Sequence, residues 1–328
     1  MTGPSRVCVI LNPASGKGRG AKAEPAVRRA FADVGVTDFR TTRAKGDERL
    51  VARRAIEDGV DTLVAVGGDG TWGNVANAII SSGADVRLAM VAAGTGNDFA
   101  KTVGAPARDF AATARLAVDG PDIRADVGCI EDKYFLNVTG FGFDIAVIED
   151  VETITRLKGE LVYVYSALRQ LFGYPGIPIT VSTPSARRDM VRHLMLIIAN
   201  GKNFGGTFRI APGASVTDGK LDAIAIDVAP PLRRMRLFGA ATKGTHVAMS
   251  GVRVEQAPQF TLTFESPPAY ETDGEYNRAS SATLQVRCVP GALRVVTPIG
   301  VEPSATSRGR EADARAAGTG ARAGAATT

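Results

Sequence analysis

The chain has little with which to staple itself or hold zinc. Its 328 residues include three cysteines, Cys8, Cys129 and Cys288, widely spaced and each among apolar, strand-like neighbours. That usage excludes a disulfide framework and suits small core side chains in a reducing compartment. Two histidines, His193 and His246, and no paired cysteines give zinc no ligand set. No Gly-x-Ser-x-Gly run is present, so a hydrolase triad has no foothold. Apolar runs such as Leu194–Ala199 are far too short to cross a bilayer. Val7–Leu11 passes straight into a polar, glycine-rich loop, so no signal peptide is expected and cytoplasm is the default compartment. Neither sign of charge dominates: a net charge of +5 suits anionic ligands or an anionic membrane surface without implying nucleic acid. The length is enough for two domains with a substantial core.

What is there is organised around Thr62–Ala78. Five mostly apolar residues, Thr62–Val66, run into Gly67-Gly-Asp-Gly-Thr71 and then into a sequence able to be helical. This reads as a buried strand feeding a tight turn that opens a helix. Gly67, Gly68 and Gly70 are expected to take positive φ and aim their amides into one concavity, with the helix dipole behind them. Such a turn wants a phosphate. Asp69 in its middle would repel a bare phosphate, so it points either to a mediating cation, Mg²⁺, or to a plain helix cap.

Upstream, Val7–Leu11 reads as the first strand, and Asn12–Gly20 as a phosphate-friendly loop that lacks P-loop spacing. A helix is expected over about 24–34 with Pro25 in its first turn. Phe39–Thr42 reads as a strand, and Asp47 as the cap of a helix reaching about Asp58. Downstream, strand Arg87–Ala92 ends in a second glycine turn, 93–100, with Thr95, Asn97 and Asp98 exposed on it; a helix follows at about 108–118. Alternating strands and helices predict a doubly wound, parallel α/β sheet with three polar loops, near 12–20, 67–71 and 94–98, crowding one edge. From Asp126 the pattern turns to strands, at 127–130, 134–139, 177–182, 191–199, 221–228, 259–264, 283–287 and 293–297, with helices only at about 158–172 and 232–239. The division expected is an α/β nucleotide-binding domain over 1–125, a β-sandwich lipid-binding domain over 126–300 whose last strands return to the first, and a disordered tail over 301–328.

Gly68-Asp-Gly-Thr-Trp-Gly73 satisfies Gly-x-Gly-x-x-Gly, but the next strand carries no ribose-binding acid and the turn follows the third strand, not the first. The combination of Asn12-Pro-x-Ser-Gly16, Gly67-Gly-Asp-Gly-Thr71 and Gly94-Thr-Gly-Asn-Asp98 instead resembles the diacylglycerol kinase catalytic family, which includes bacterial lipid kinases and sphingosine kinases. The first two of the glycine turns also admit NAD kinases. Gly205-Gly-Thr-Phe-Arg-Ile-Ala-Pro212 through Asp218-Gly-Lys-Leu-Asp222, and then Asp273-Gly-Glu275, favour the lipid kinases.

The resemblance implies an ATP- and Mg²⁺-dependent transfer of phosphate to a lipid hydroxyl, diacylglycerol being the acceptor expected first. It implies that Gly68–Thr71 cradle ATP, with Thr95 and Thr42 also in the nucleotide site and Asn12, Ser15, Gly67, Gly94 and Asn97 in the surrounding motifs. It implies that Asp98 and Asp126 join Asp69 in a carboxylate–water–Mg²⁺ network. It implies a further Mg²⁺ near Asp218, with the carbonyls of Ser215 and Lys220. Asp273 is implied as the general base and Glu275 as its partner. Two departures stand out: Gly73-Asn74 replaces the usual Asn-Glu, removing a first-turn carboxylate, and Ala93 replaces a common proline.

Read from the residues alone, Asp218-Gly219 and Asp273-Gly274 are also ordinary turn dipeptides, Asp126 a structural cap, and Gly205-Gly206 a tight bend. A sphingoid-base or ceramide kinase, a soluble NAD kinase-like enzyme and a catalytically silent lipid-binding protein stay as alternatives. The acceptor is a membrane lipid, so transient contact with the inner face of the membrane is expected, through Arg233-Arg-Met-Arg236 beside Leu232, Leu237 and Phe238. Whether the chain forms a homodimer is left open.

Overall fold

The computed structural model describes residues 6–154, 160–187 and 189–298. The predicted tail over 301–328 and the start of the helix expected at 158 lie outside the described residues. In chain order the first half holds β1 (Val7–Leu11), α1 (Ser15–Ala32), β2 (Asp38–Thr41), α2 (Asp47–Glu57), β3 (Thr62–Gly67), α3 (Asp69–Ser82), β4 (Arg87–Ala92), α4 (Asp98–Val103) and α5 (Phe110–Asp119). β5 (Asp122–Ile130), β6 (Lys133–Phe135), β7 (Val138–Gly142), α6 (Phe143–Thr153), α7 (Glu160–Gly173), β8 (Ile177–Thr183), β9 (Ala186–Arg187) and β10 (Val191–Ala199) follow. Last come β11 (Leu221–Asp227), α8 (Pro231–Ala241), β12 (Val252–Ala257), β13 (Gln259–Thr263), β14 (Ala269–Thr272), β15 (Glu275–Arg278) and β16 (Thr283–Val296).

β2, β1, β3 and β4 pair in parallel in that order, as βαβ units require. β1 and β3 are buried throughout, the continuous apolar runs of a sheet covered on both faces. One core cluster on this sheet gathers Ile10, Leu63, Trp72 and Phe99; another gathers Val9, Val64, Phe31 and Val91. β16 then joins the halves. It runs beside β4 through Arg294 and Val295 and is antiparallel to β5 and β13. From there the path continues β13–β8–β10–β7–β14–β15, all antiparallel, with β11 and β12 beyond β10. A doubly wound α/β unit followed by a β-rich sandwich is thus the observed architecture.

Several local expectations change. α1 starts well before Glu24, leaving Pro25 inside it, and Gly16, Lys17 and Gly18 interrupt its first turns with φ of 58°, 59° and 89°. Asp47 does not cap α2; its carboxylate reaches back to the amides of Arg43 and Ala44. The stretch 134–139 is two strands, since Leu136 and Asn137 break the pairing to hold Asp273. The two last strands are one, β16, bent at a register shift between Val289 and Leu293. Helices α4 and α6 are additional.

α8 carries a further correction. Arg234 is 5 % exposed and donates to the carbonyls of Ala229, Gln170, Leu171 and Tyr174. It closes the C-terminal end of α7 and takes no part in a surface charge. Among the described residues of α7 and α8, the exposed large apolar side chains are Tyr165, Leu168, Phe172, Leu232 and Met235, with Arg169 and Arg236 exposed beside them.

Candidate active site

The three polar loops do meet at the carboxyl ends of the parallel strands, through contacts only glycine permits. A Cβ on Gly67 would lie 2.4 Å from Thr71 Oγ1, and one on Gly94 would lie 2.3 Å from Gly68 Cα. The Gly67 carbonyl accepts the amides of Ala93 and Gly94 at 2.7 and 3.0 Å. The expected positive φ is absent from Gly67, Gly68 and Gly70. Gly68 is extended, at φ −118°. Gly68 serves close approach to the Gly94 backbone and Gly67 makes room for the Thr71 side chain, while Gly70 faces open space; none forms a left-handed turn.

Asn12 ties the first loop to the second. Its Nδ2 donates to Glu48 Oε1 at 2.8 Å and Thr71 Oγ1 at 3.0 Å, while its Oδ1 accepts the Ala14 amide. Ser15 Oγ donates to the Asn12 carbonyl, and Thr42, buried, donates to that of Leu11. Asn97, also buried rather than exposed, donates to the Gly94 carbonyl. Asn12, Ser15, Thr42, Thr71 and Asn97 therefore build the cradle from within. Thr95 is exposed and accepts from Arg19 Nη2 at 2.7 Å.

Asp69 opens α3 yet caps α4. Its Oδ1 accepts the amides of Asp98 at 2.7 Å and Phe99 at 3.1 Å. Burial raises its pKa and the Asp98 carboxylate adds to that, against the pull of the amides. Asp98, buried and not exposed as expected, bonds Lys101 Nζ through Oδ1 and the Gly206 amide through Oδ2. The Oδ2 atoms of Asp69 and Asp98 both face Gly96, whose Cβ would lie 3.1 and 3.3 Å from them.

Asp273, in the turn between β14 and β15, holds φ at 48°. Its Oδ1 accepts the amides of Asn137 and Val138 at 2.8 and 3.0 Å, and its Oδ2 that of Leu136 at 2.6 Å. Burial pushes its carboxyl up to about 7; the three amides oppose this and the Asp69 charge adds to it. A Cβ on Gly73 would lie 4.0 Å from Asp273 Oδ2, so the turn of the β-rich half abuts the first turns of α3. Glu275 is exposed and makes no hydrogen bond to Asp273. The acid adjoining that turn is Glu271, buried, whose Oε2 accepts the Gly274 amide.

Two cavities flank the Asp69–Asp273 seam, and both carboxylates line both. The larger, about 420 Å³, has Lys45, Arg49, Gly70, Gly73 and Asn74 on one wall and Lys133, Tyr134, Thr272 and Glu275 on the other. The smaller, about 260 Å³, is lined by Thr95, Gly96, Asp98, Asn137, Val138 and Asn203–Gly206. Arg49 Nε donates to Asn74 Oδ1 at 2.9 Å, so the position where a glutamate is usual leaves this guanidinium un-neutralised at the cavity wall.

Asp126 shares no direct hydrogen-bond partner with Asp69 or Asp98. Its two oxygens accept the amides of Gly219 and Gly291, at 2.7 Å each, beside Asp218. Asp218 Oδ1 accepts the Lys220 amide, the ordinary Asp-Gly turn bond. Among the described residues no three His, Cys, Asp or Glu side chains are grouped as metal ligands. The regions are linked through two asparagines that sequence reasoning missed. Asn200 Nδ2 donates to the Asp126 and Leu136 carbonyls, and Asn137 Nδ2 lies 3.5 Å from Asp69 Oδ1. Asparagine inside strand-like sequence is the signal that marks both.

Comparison with known proteins bears on the family and the fold. The sequence profile "Diacylglycerol kinase catalytic domain" matches residues 6–130, and "YegS C-terminal NAD kinase beta sandwich-like domain" matches 137–297. A diacylglycerol kinase of Mycobacterium tuberculosis (strain ATCC 25618 / H37Rv) is 28% identical over 300 residues, 89% of this chain and 95% of its own. A protein of Xanthomonas axonopodis pv. citri (strain 306) named "Probable lipid kinase YegS-like" is 30% identical over 80% of this chain and 86% of its own. A diacylglycerol kinase structure from Bacillus anthracis str. Sterne superposes with a TM-score of 0.69 at 21% identity, covering 92% of this chain and 100% of that one. An NAD kinase from Archaeoglobus fulgidus shares the fold at a TM-score of 0.50 and 12% identity, covering 94% and 98%. The chain belongs to the diacylglycerol kinase catalytic-domain family of lipid kinases.

Proposed function

We propose that this chain transfers the γ-phosphoryl group of ATP, with Mg²⁺, to a lipid hydroxyl, with diacylglycerol as acceptor and phosphatidic acid as product. The observation carrying the reading is that Asp69 and Asp273 line both cavities, so a donor in one and an acceptor in the other meet at a carboxylate pair. Lys45, Arg49 and Lys133 give the larger cavity positive charge suited to a polyphosphate, and α3 starts at its wall. The smaller cavity, bounded by Val138 and Phe204, suits the head of a lipid alcohol.

A lipid alcohol is a poor nucleophile near neutral pH, and Asp273, with a carboxyl titrating at about 7, is ionised enough to accept its proton as the phosphate bond forms. Positioning supplies the rest: three backbone amides fix the Asp273 oxygens, and the amide-bonded Oδ1 of Asp69 leaves Oδ2 free. The Asp69 and Asp98 Oδ2 atoms over Gly96 are hard oxygen donors, the kind that holds Mg²⁺ together with substrate phosphates. Bound there, the ion supplies neutralisation of the charge on the transferring group.

The test offers labelled ATP with diacylglycerol, a sphingoid base, ceramide and NAD in parallel. Label entering phosphatidic acid supports the proposal. Label entering NAD alone, or ATP binding without transfer to any acceptor, overturns it. Access to a lipid acceptor further requires contact with a membrane, and the exposed apolar residues of α7 and α8 with Arg236 are the face that suits it.

A further inference from the structure

Behind the turn that carries Asp273, two carboxyl groups are buried against each other. Asp144 stands in the first turn of α6 and Glu271 in β14. Glu271 pairs across the sheet with Gly140 of β7. A Cβ on Gly140 would lie 2.6 Å from Asp144 Oδ2 and 3.0 Å from Glu271 Oε1, so both oxygens occupy the space this glycine leaves. Glu271 is 2 % exposed; Oε2 holds the Gly274 amide at 2.6 Å, whereas Oε1 has no hydrogen-bond partner. The Asp144 oxygens have no side-chain partner and no well-aligned donor, only the nearby amides of Asp144 and Ile145 at the start of the helix. The titratable and charged groups facing the pair are Asp273, acting on Glu271, and Tyr174, on which Asp144, Glu149, Arg192 and Arg234 act.

Two uncompensated anions side by side and out of water are costly, and such pairs respond by keeping a proton. We propose that Asp144 and Glu271 share one proton, carried by Glu271 Oε1 and donated to Asp144, and that this neutral acid fixes the Gly274 amide and so the left-handed turn that aims Asp273. The placement of the proton follows from the surroundings. Asp144 lies at the start of a helix, where amides favour the anion. Glu271 lies beside Asp273, whose charge favours the neutral acid. Burial raises both groups, in the direction a retained proton requires. Glu271 acts through the turn and touches no reactant, so it is a positioning residue. The inference rests on the reading of Asp273 as the base.

Infrared difference spectra of the full chain at pH 8 read the proton directly. A protonated-carboxyl stretch lost in Glu271→Gln is the expected result; its absence from the wild-type protein overturns the proposal whatever the enzyme phosphorylates. In the diacylglycerol assay, Glu271→Ala lowers kcat about tenfold or more with little change in KM for ATP, and Glu271→Gln, which still accepts the Gly274 amide, recovers most of that loss. In Asp144→Asn burial keeps the proton on Glu271 and the pair loses its negative charge beside Asp273, so the acid limb of kcat/KM moves down by roughly half a pH unit. An unmoved acid limb in a folded Asp144→Asn protein overturns the coupling to Asp273. A wild-type protein that phosphorylates no lipid, with the infrared band present, counts against the proposed reaction and leaves the shared proton standing.

Discussion

Gly68 and Gly94 touch backbone to backbone: a Cβ built on Gly94 would lie 2.3 Å from Gly68 Cα and 2.9 Å from Asn97 Oδ1. The obstruction is main chain, which cannot swing aside as a side chain can. Gly94→Ala should therefore part the second and third polar loops and cost on the order of 1–3 kcal/mol. ATP affinity should fall with it. Gly70 faces open space, so Gly70→Ala is the matched control and should leave the thermal midpoint unchanged or slightly raised. Thermal unfolding and ATP titration of the two variants check this.

Asp273→Asn removes the proposed base and places an amide N–H₂ where Oδ2 now accepts from Leu136. Turnover should fall by roughly two to four orders of magnitude while ATP binding persists. In the wild-type protein the base must be unprotonated, so kcat/KM should rise with pH through about 7 and level off above it. Near-normal turnover in the variant, or a profile flat from pH 5.5 to 8 (roughly the window bracketing this titration), would contradict the assignment.

The parallel half of the fold was legible because its signals are local. β1 and β3 are unbroken apolar runs, and their glycine turns follow at once. The motif positions in the second half were legible only through resemblance, since Asp273-Gly274 alone reads as any turn. What stayed hidden depends on distance along the chain. The amides that hold Asp273 come from residues 136–138, more than a hundred positions away. Arg234 reads as surface charge because three of its four carbonyl partners lie some sixty residues away, at Gln170, Leu171 and Tyr174. The positive φ expected at Gly67 and Gly68 failed for a similar reason: both glycines answer to neighbours in space, one of them on another loop.

Arg49 donates to Asn74 at the wall of the larger cavity, a neutral partner that leaves its charge available. Arg49→Met should raise KM for ATP about tenfold, the loss of one charge-assisted contact, with kcat changed far less. A fall in kcat with KM unchanged would place Arg49 on the transition state instead. Steady-state kinetics with ATP varied at saturating lipid separate the two.

The arginines of α8 should behave differently from one another. Arg234 is buried with four carbonyl acceptors, so Arg234→Gln should lower stability by on the order of 2–4 kcal/mol, read as a drop in the thermal midpoint. Arg236 is exposed beside Met235, and Leu232 is 77 % exposed one turn earlier. Removing charge at Arg236 should leave folding intact and weaken binding to vesicles of anionic lipid, most at low salt. Leu232→Ser and Phe172→Ser should weaken the same binding at every salt concentration, because they remove apolar contact rather than charge. Vesicle sedimentation at two ionic strengths distinguishes the contributions. Binding indifferent to all three exposed positions would remove the α7–α8 face from the membrane contact and shift attention to the cation-lined rim at Lys45 and Arg49.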